Sequence, residues 1–433
     1  MTSLFRAALL GGAAVLAVSC ASAPATTSVR EASAPLAYKA QALGMPISTP
    51  EEQGFSTDGI DKLQGAMRDL VTQRKLAGVT TLVARHGKIV SFDTQGKANV
   101  ATGQALEPDT IFRIASMTKP TIGVAMMQLW EAGKWKLDDP VSKYIPEFAN
   151  LKVKTTSGGT EPMATPMTMR QLMSHTAGFD VSAGYQNANL QATDLQGMID
   201  KLAKLPLADQ PGTDWNYGPS VDIQGYLVEK LSGQKLDVYM AEHIFKPLGM
   251  VDTGFWVSPD KAGRVATIHT YDPQGFITAP TTNPVKTEKP AFLSGSGGLM
   301  STAKDYWRFA QCVLDNYNGK GAVKLLKADT IKLMRTNVLQ PGVMVDLYGP
   351  TQPGIGFGLD FAIVMDPAAA KTSQGLNTFY WGGAFGTWFW IDPTNDLVFV
   401  GMIQNINGST PGAGTPAMRE ISPRLTYAAL TNK

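Results

Sequence analysis

The chain has few of the residues on which many enzymes and binding modules depend. Its 433 residues include two cysteines and four histidines, and 17% of them are charged. Two cysteines allow at most one disulfide, and no cluster of histidines and carboxylates has zinc spacing, so we expect neither a metal nor a cofactor. No block of five or six basic residues occurs and the formal net charge is +2. Nucleic acid is therefore not an expected partner.

The N-terminal residues have the pattern of an export signal. Arg6 is the one charged residue before an apolar run over residues 7–18. That run is too short to cross a bilayer as a helix of the mature protein. We therefore expect residues 1–20 to direct export and to lie outside the fold.

Cys20 ends a segment that resembles a bacterial lipobox, Leu-Ala-Val-Ser-Cys over residues 16–20. In such a signal the cysteine becomes the lipidated first residue, and residues 21–49 would follow as a tether rich in small residues and proline. The alternative is an ordinary signal cut near residues 21–23. With Cys20 lipidated, Cys312 stays unpaired, and the protein is periplasmic, its membrane attachment limited to the lipid anchor.

Hydrophobic periodicity places strands at both ends of the chain and helices between them. Ser56 or Thr57 can cap a helix whose apolar residues recur at helical spacing up to Val71. The predicted hairpins pair residues 79–84 with 88–92 and residues 387–391 with 397–403, and a last helix covers residues 416–430. We expect an α/β domain from residues 50–115 and 280–433, with an all-α helical domain inserted at residues 116–279.

The sequence contains a pattern able to activate a serine hydroxyl. A serine is a weak nucleophile without a nearby base, and in Ser-x-x-Lys the two side chains project from the same face of a helix. The pattern is common by chance. It occurs four times, at residues 116–119, 232–235, 258–261 and 301–304.

The surroundings separate Ser116 from the other three serines. Ser232 stands at a helix C-terminus, Ser258 precedes a proline in a turn, and Ser301 fits an N-cap. Ser116 instead opens a long apolar helix with Pro120 in its first turn, where the missing N–H is harmless. The helix N-terminus also favours negative charge at the serine, so Ser116 is the candidate nucleophile, although a simple N-cap is the plain alternative.

A Ser-His-Asp mechanism is not expected. No Gly-x-Ser-x-Gly pentapeptide, the nucleophile elbow of the α/β-hydrolases, occurs in the chain. Of the four histidines, His175 lies in a distinctive segment, and we expect it to support the fold or the neighbouring site residues.

Several segments, in collinear order from about residue 50 to the C-terminus, resemble the serine β-lactamase and penicillin-binding-protein superfamily. The likeness is strongest to class C β-lactamases and the related family VIII carboxylesterases, and it implies a β-lactamase-like fold, an antiparallel sheet flanked by helices. The matching segments are residues 114–119 (Ile-Ala-Ser-Met-Thr-Lys), 172–179 (Leu-Met-Ser-His-Thr-Ala-Gly-Phe), 211–217 (Pro-Gly-Thr-Asp-Trp-Asn-Tyr), 297–302 (Gly-Gly-Leu-Met-Ser-Thr) and 381–383 (Trp-Gly-Gly).

The resemblance implies that Ser116 attacks a carbonyl and forms an acyl-enzyme, with Lys119 and Tyr217 handling the protons. Which of the two takes the first proton stays open. By position, the backbone N–H groups of Ser116 and Ala384 would form the oxyanion hole. The glycines at 382–383 would let the strand approach the substrate closely.

Two departures from the β-lactamase pattern bear on the substrate. Trp381 stands where β-lactamases have a lysine that helps to hold the carboxylate of the lactam, and Pro219 stands where they have an asparagine. An apolar indole cannot hold a carboxylate, and esters are easier to cleave than unstrained amides. We therefore expect a carboxylesterase acting on a small ester. A β-lactamase, D,D-peptidase or other amide hydrolase is the alternative, and a silent binding protein of the same fold is a third.

Overall fold

The central element is an eight-stranded antiparallel sheet built from both ends of the chain. The structure is a computed structural model, which describes residues 44–181, 193–280, 282, 284–347, 351–406 and 416–431. The predicted signal segment, Cys20 and all but the end of the predicted tether lie outside these residues. Within the described residues, no helix has the length and apolar character needed to cross a membrane.

The strands are β1 (Gly78–Arg85), β2 (Lys88–Asn99), β3 (Gln104–Ala105), β4 (Phe112–Arg113), β5 (Lys152–Lys154), β6 (Thr160–Pro162), β7 (Thr270–Tyr271), β8 (Ile277–Thr278), β9 (Met300–Ser301), β10 (Ile355–Phe357), β11 (Ala362–Val364), β12 (Phe379–Gly382), β13 (Trp388–Asp392) and β14 (Leu397–Met402). The large sheet has the order β10-β11-β12-β13-β14-β1-β2-β3, and β4–β9, β5–β6 and β7–β8 form three small pairs.

The α-helices are α1 (Thr57–Thr72), α2 (Thr118–Glu131), α3 (Met169–Met173), α4 (Leu195–Leu202), α5 (Ser220–Ser232), α6 (Leu236–Met240), α7 (Lys246–Leu248), α8 (Ala303–Tyr317), α9 (Ala328–Met334) and α10 (Met418–Ala428). Short 3-10 helices cover Glu51–Gln53, Ala115–Met117, Val141–Lys143, Pro146–Phe148 and Pro259–Arg264, and Ala241–Phe245 forms a π-helix.

Alternating side chains of β13 bury the two faces of the sheet. Trp388 and Trp390 pack on one face in a core shared with α1 and α10, whereas Phe389 and Ile391 join the larger core on the other face, which α8 covers. This alternation follows from the two-residue period of a strand. The sheet is therefore covered by helices on both faces, and the predicted β-lactamase-like architecture is confirmed.

The local predictions hold at both ends of the chain. Ser56 caps α1 by accepting a hydrogen bond from the Gly59 amide, and β1–β2 and β13–β14 are the two predicted hairpins. Strands of the large sheet come from residues 78–105 and 355–402, while six α-helices of the described chain, α2 to α7, lie within residues 116–279. The division into two domains at residues 116 and 279 stays a prediction.

The predicted N-cap at Ser301 is wrong. Ser301 is the last residue of β9, and its hydroxyl lies 2.8 Å from the Thr253 hydroxyl. Thr302 caps α8 instead, because its side chain accepts a hydrogen bond from the Asp305 amide. Pairing of β9 with β4 takes Ser301 into a strand, and that long-range contact is not visible in the local pattern.

Candidate active site

Ser116 and Lys119 lie at the junction between a 3-10 helix and α2. The 3-10 helix Ala115–Met117 carries Ser116 and continues directly into α2. Lys119 is 3% exposed, and its Nζ donates to Ser116 Oγ at 3.3 Å and to the Ser296 carbonyl at 2.7 Å. Ala115 adopts a φ of 45°, a left-handed conformation unfavourable for alanine. Strain of this kind often marks a functional site.

Asp222 fixes the carbonyl that anchors Lys119. Its carboxylate accepts hydrogen bonds from Ser294 Oγ at 2.7 Å and from the Ser296 amide at 2.9 Å. A side chain at position 295 would overlap the Val221 carbonyl, so only glycine allows this approach. Helix α5 thus sets the position of the Ser296 carbonyl and, through it, of the Lys119 amine. The sequence analysis missed Asp222, which is only one of many carboxylates on helices.

Tyr217 lies just before α5 and faces Lys119. The Lys119 Nζ is 4.5 Å from the centroid of its ring, a cation–π contact. The half-buried ring also lies 5.0 Å from the His175 ring and 5.7 Å from the Trp381 ring. The structure therefore brings Ser116, Lys119 and Tyr217 together, and it packs the Tyr217 ring against neighbouring aromatic rings.

Trp381 forms an apolar wall of the site. Its side chain is 5% exposed and lies 5.4 Å from Phe357 and 6.5 Å from Trp215, measured between ring centroids. At this place the residue offers no positive charge. Apolar rings around the lysine also lower the local polarity and strengthen every electrostatic interaction there.

Strand β12 brings the predicted oxyanion residues toward the serine. A side chain at Gly383 would overlap the Ile114 carbonyl, and the Thr387 hydroxyl donates to that same carbonyl at 3.0 Å. The end of β12 consequently contacts the 3-10 helix of Ser116. Ala384 follows in the turn between β12 and β13 and is exposed.

His175 is a buried, neutral neighbour of this site. Burial, aided by the positive charge of Lys119, holds its pKa well below the usual value of 6.5. Within the described part of the chain neither ring nitrogen has a hydrogen-bond partner. These properties fit the expected supporting role and not that of a general base.

Asp360 is a buried carboxyl that the sequence analysis missed. It accepts a hydrogen bond from Gln224 Nε2 at 3.1 Å, and burial raises its pKa well above the usual value of 3.8, against the opposing effects of that bond and of Lys119. It packs on α2 at Gly123, one turn beyond Lys119. The one clue in the sequence was an acidic residue between Leu359 and Phe361.

Arg419 was also missed, because the pattern placed it only at the start of a terminal helix. It stands on the first turn of α10 and donates through Nη2 to the Gly383 and Thr387 carbonyls at 3.1 and 3.3 Å. Burial of the guanidinium lowers the pKa of Arg419, against the opposing effects of the Tyr380 and Tyr217 phenols. A cation therefore stands beside the residues that follow Trp381.

The other serines of the Ser-x-x-Lys patterns are used locally. Ser232 Oγ donates to the Val228 carbonyl at 2.6 Å, at the end of α5, and Ser258 precedes a 3-10 helix. Gln404, at the end of β14, is buried, and its side-chain oxygen accepts a hydrogen bond from the Arg113 amide at 2.7 Å. Among the described residues, no three His, Cys, Asp or Glu side chains are grouped so that they could hold a metal ion.

Comparison with known proteins identifies the family to which the chain belongs. The model of the Beta-lactamase family matches residues 63–420. Protein Rv1367c of Mycobacterium tuberculosis is 33% identical over 398 residues, covering 86% of this chain and 99% of the relative. Esterase EstB of Burkholderia gladioli is 29% identical over 405 residues, covering 87% and 99%. The structure of simvastatin synthase (LovD) from Aspergillus terreus has a TM-score of 0.73 at 21% identity and covers 87% of this chain and 100% of its own. The chain belongs to the beta-lactamase family.

Proposed function

We propose that this protein is a serine carboxylesterase that cleaves small esters through an acyl-enzyme on Ser116. The observation that carries the proposal is the Ser116–Lys119 pair, 3.3 Å apart, beside an apolar wall made by Trp381. The esterase name of the Burkholderia gladioli relative supports the same reaction.

Acylation follows from the position of Lys119. To act as the base, Lys119 gives up its charge, keeps one N–H on the Ser296 carbonyl at 2.7 Å and turns its lone pair toward the Ser116 hydroxyl 3.3 Å away. Lys119 takes the hydroxyl proton while Ser116 Oγ forms a bond to the ester carbonyl carbon. The amides of Ser116 and Ala384 stabilise the resulting oxyanion. The carbon–oxygen bond to the alcohol then breaks, and the alcohol leaves with a proton passed through Lys119 and Tyr217.

Deacylation reverses the proton traffic with water as the nucleophile. Water attacks the acyl carbon and gives its proton to the Lys119–Tyr217 pair. The acid is released as Ser116 Oγ recovers its proton. Because Lys119 is 3% exposed and lies over the Tyr217 ring, both steps use a proton carrier largely shielded from bulk water.

The preference for esters rests on Trp381 and Pro219. We expect esters of about two to six acyl carbons to be cleaved at least about a thousandfold more efficiently than penicillins, equivalent to roughly 4 kcal/mol of transition-state stabilisation. A lost charge-assisted contact at position 381 supplies about 1.5–3 kcal/mol of this, and a lost amide contact at position 219 about 1 kcal/mol.

A parallel assay measures this ratio. The purified protein is given p-nitrophenyl butyrate and a chromogenic cephalosporin under identical conditions, and kcat/KM is compared. Equal rates on the two substrates would show that the substrate argument is wrong, while the fold and the Ser116 chemistry would stand. Trp381→Lys is a poor reciprocal test, since the new ammonium would be buried among three aromatic rings at a cost of several kcal/mol.

The nucleophile is tested by a pair of serine variants. Ser116→Ala should abolish ester turnover and labelling by a fluorophosphonate, because among the described serines only Ser116 has a hydrogen bond from a buried lysine amine at its hydroxyl. Ser258→Ala, at the same Ser-x-x-Lys spacing but in a turn, should keep most of the wild-type kcat. Peptide mapping of the labelled wild type identifies the modified serine, and a label on any other residue refutes the assignment.

Export and lipidation at Cys20 form the remaining part of the proposal. They rest on the apolar run and lipobox-like segment of residues 1–20, which lie outside the described residues. A periplasmic, membrane-tethered esterase would meet small esters that enter the envelope. Nucleic acid has no place in this function.

A further inference from the structure

The loop that carries Ala384 is held from three directions. From within the hairpin, the Gly383 amide donates to the Thr387 carbonyl at 2.7 Å, and the Gly386 amide donates to the Gly383 carbonyl at 3.0 Å. From the end of β14, the Asn405 amide donates to the Phe385 carbonyl at 2.9 Å. From α10, the Arg419 guanidinium donates to the Gly383 and Thr387 carbonyls.

The Arg419 contacts fall on the two ends of this loop. Gly383 directly precedes Ala384, and Thr387 is the residue whose hydroxyl binds the Ile114 carbonyl, two positions before Ser116. The guanidinium therefore ties together the carbonyls on either side of the Ala384 amide. Both hydrogen bonds come from Nη2, whose two N–H groups can each donate to one of the two carbonyls.

Gly382 is shaped to admit this side chain. A methyl group at position 382 would overlap the Arg419 guanidinium. Substrate access is therefore not the only explanation for a glycine at position 382. The absence of a side chain there also lets Arg419 lie across the end of β12. Among the described residues, the Gly383 and Thr387 carbonyls are the hydrogen-bond acceptors that the structure shows for the Arg419 side chain.

We propose that Arg419 is a positioning residue for the oxyanion hole, which holds the 383–387 loop so that the Ala384 amide points at the reacting carbonyl oxygen. The proposal rests on the esterase function proposed above. Loss of the guanidinium leaves the hairpin bonds in place but frees the loop to move by a fraction of an ångström. Removing one oxyanion donor costs about 10²–10³ in kcat, so a misplaced donor should cost about tenfold to a hundredfold.

The test compares Arg419→Gln, Arg419→Lys and Arg424→Gln. Arg424 is an exposed arginine on the same helix, so its variant removes the same charge without touching the loop. For Arg419→Gln we expect kcat on p-nitrophenyl butyrate to fall about tenfold to a hundredfold, with KM within about twofold of wild type. Arg419→Lys should recover part of the loss, since an ammonium can reach one of the two carbonyls. Arg424→Gln should match wild type.

A transition-state probe separates this role from a general effect on folding. Butylboronic acid adds the Ser116 oxygen to boron and gives a tetrahedral anion that uses the oxyanion hole. Its Kd should rise in Arg419→Gln by a factor close to the fall in kcat, with the melting temperature measured alongside. Gly382→Ala keeps the arginine but displaces it, so its kcat should fall and its boronate Kd should rise by similar factors. This variant replaces Arg419→Gln in the test if Arg419→Gln does not fold.

The possible outcomes distinguish a failure of the proposed esterase function from a failure of the proposed role of Arg419. A wild-type protein without ester turnover would defeat the proposed function. An active wild type whose Arg419→Gln variant keeps wild-type kcat and boronate affinity per folded molecule would overturn the role of Arg419 alone. A variant that raises KM but keeps kcat would overturn it as well, because the residue would then bind the ground-state substrate.

Discussion

His175 is a histidine whose surroundings keep it uncharged. It is fully buried, lies 5.0 Å from the Tyr217 ring, and has a pKa held well below 6.5 by burial and by Lys119. Above pH 6.5 the folded and unfolded states both carry a neutral imidazole, so the residue adds no pH dependence. Below pH 6.5 the His175 imidazole binds a proton in the unfolded chain but stays neutral in the folded state. The free energy of unfolding therefore falls as the pH is lowered.

Replacing His175 should reduce this acid sensitivity. We expect wild type to lose up to about 1.4 kcal/mol of unfolding free energy per pH unit below pH 6.5 relative to His175→Asn, whatever the offset between them at neutral pH. His86→Asn is the matched control, because His86 also has a positive φ, 50° against 60°, but is exposed. Urea unfolding at pH 7.5, 6.5 and 5.5 measures the slopes. Parallel slopes for wild type and His175→Asn would contradict the assignment.

Site residues could be predicted from the sequence where the groups that react together lie a few positions apart. Ser116 and Lys119 are three positions apart, so one helical turn suffices to bring them together. Asp360 and Arg419 reach the same site from positions more than 230 residues beyond the serine, and only the folded chain joins them. Local spacing contains no information about that approach.

Helix α2 shows how a glycine can be fitted to a neighbouring element. Gly123 lies one turn after Lys119, and a methyl group there would stand 2.7 Å from Asp360 Oδ2. Gly65, in the interior of α1, has no heavy atom within 4 Å of the same position. A glycine-to-alanine change raises the helix propensity equally at both positions. The two positions differ in the atoms that the added methyl group would contact.

The two alanine variants should therefore move stability in opposite directions. Gly65→Ala should raise the unfolding free energy by about 0.5–1 kcal/mol, the usual gain in a helix interior. Gly123→Ala should lower it, since overpacking costs about 1–3 kcal/mol, and should reduce kcat by pushing α2 and Lys119 away from Asp360. Chemical unfolding and ester assays measure both. An increase in stability for Gly123→Ala would show that the Asp360 side chain moves aside at little cost.

Elements were predictable where a repeating pattern dominated. The two hairpins and helix α1 follow from strand and helix periodicity together with turn and cap residues. The cap of α8 was displaced by one residue, from Ser301 to Thr302, because pairing of β9 with β4 extends the strand. Short strands of two residues depend on their partners and leave almost no pattern of their own.

At the scale of the whole molecule, the two chain ends meet in one sheet and thereby build the site. Pairing of β1 with β14 joins residues 80–85 to residues 397–402. The same closure brings α10 beside β12, and with it Arg419 beside the 383–387 loop. The order of strands and helices along the sequence predicted that both ends share a domain, but the register and the side chains brought to the site depend on packing across some 300 residues.

The attachment of the whole molecule to a membrane is tested at Cys20. We expect the mature protein to carry label from a fatty acid and to fractionate with membranes, because two or three acyl chains hold a protein far more firmly than one. Cys20→Ala should lose the label and appear in the soluble fraction with unchanged kcat, since residue 20 belongs to the predicted signal segment and is not one of the candidate site residues. Cys312→Ala is the matched control: its thiol is buried against the Val323 carbonyl, so this variant should keep both label and membrane fraction. Equal labelling of wild type and Cys20→Ala, or release of wild type in soluble form, would refute a lipid anchor at Cys20.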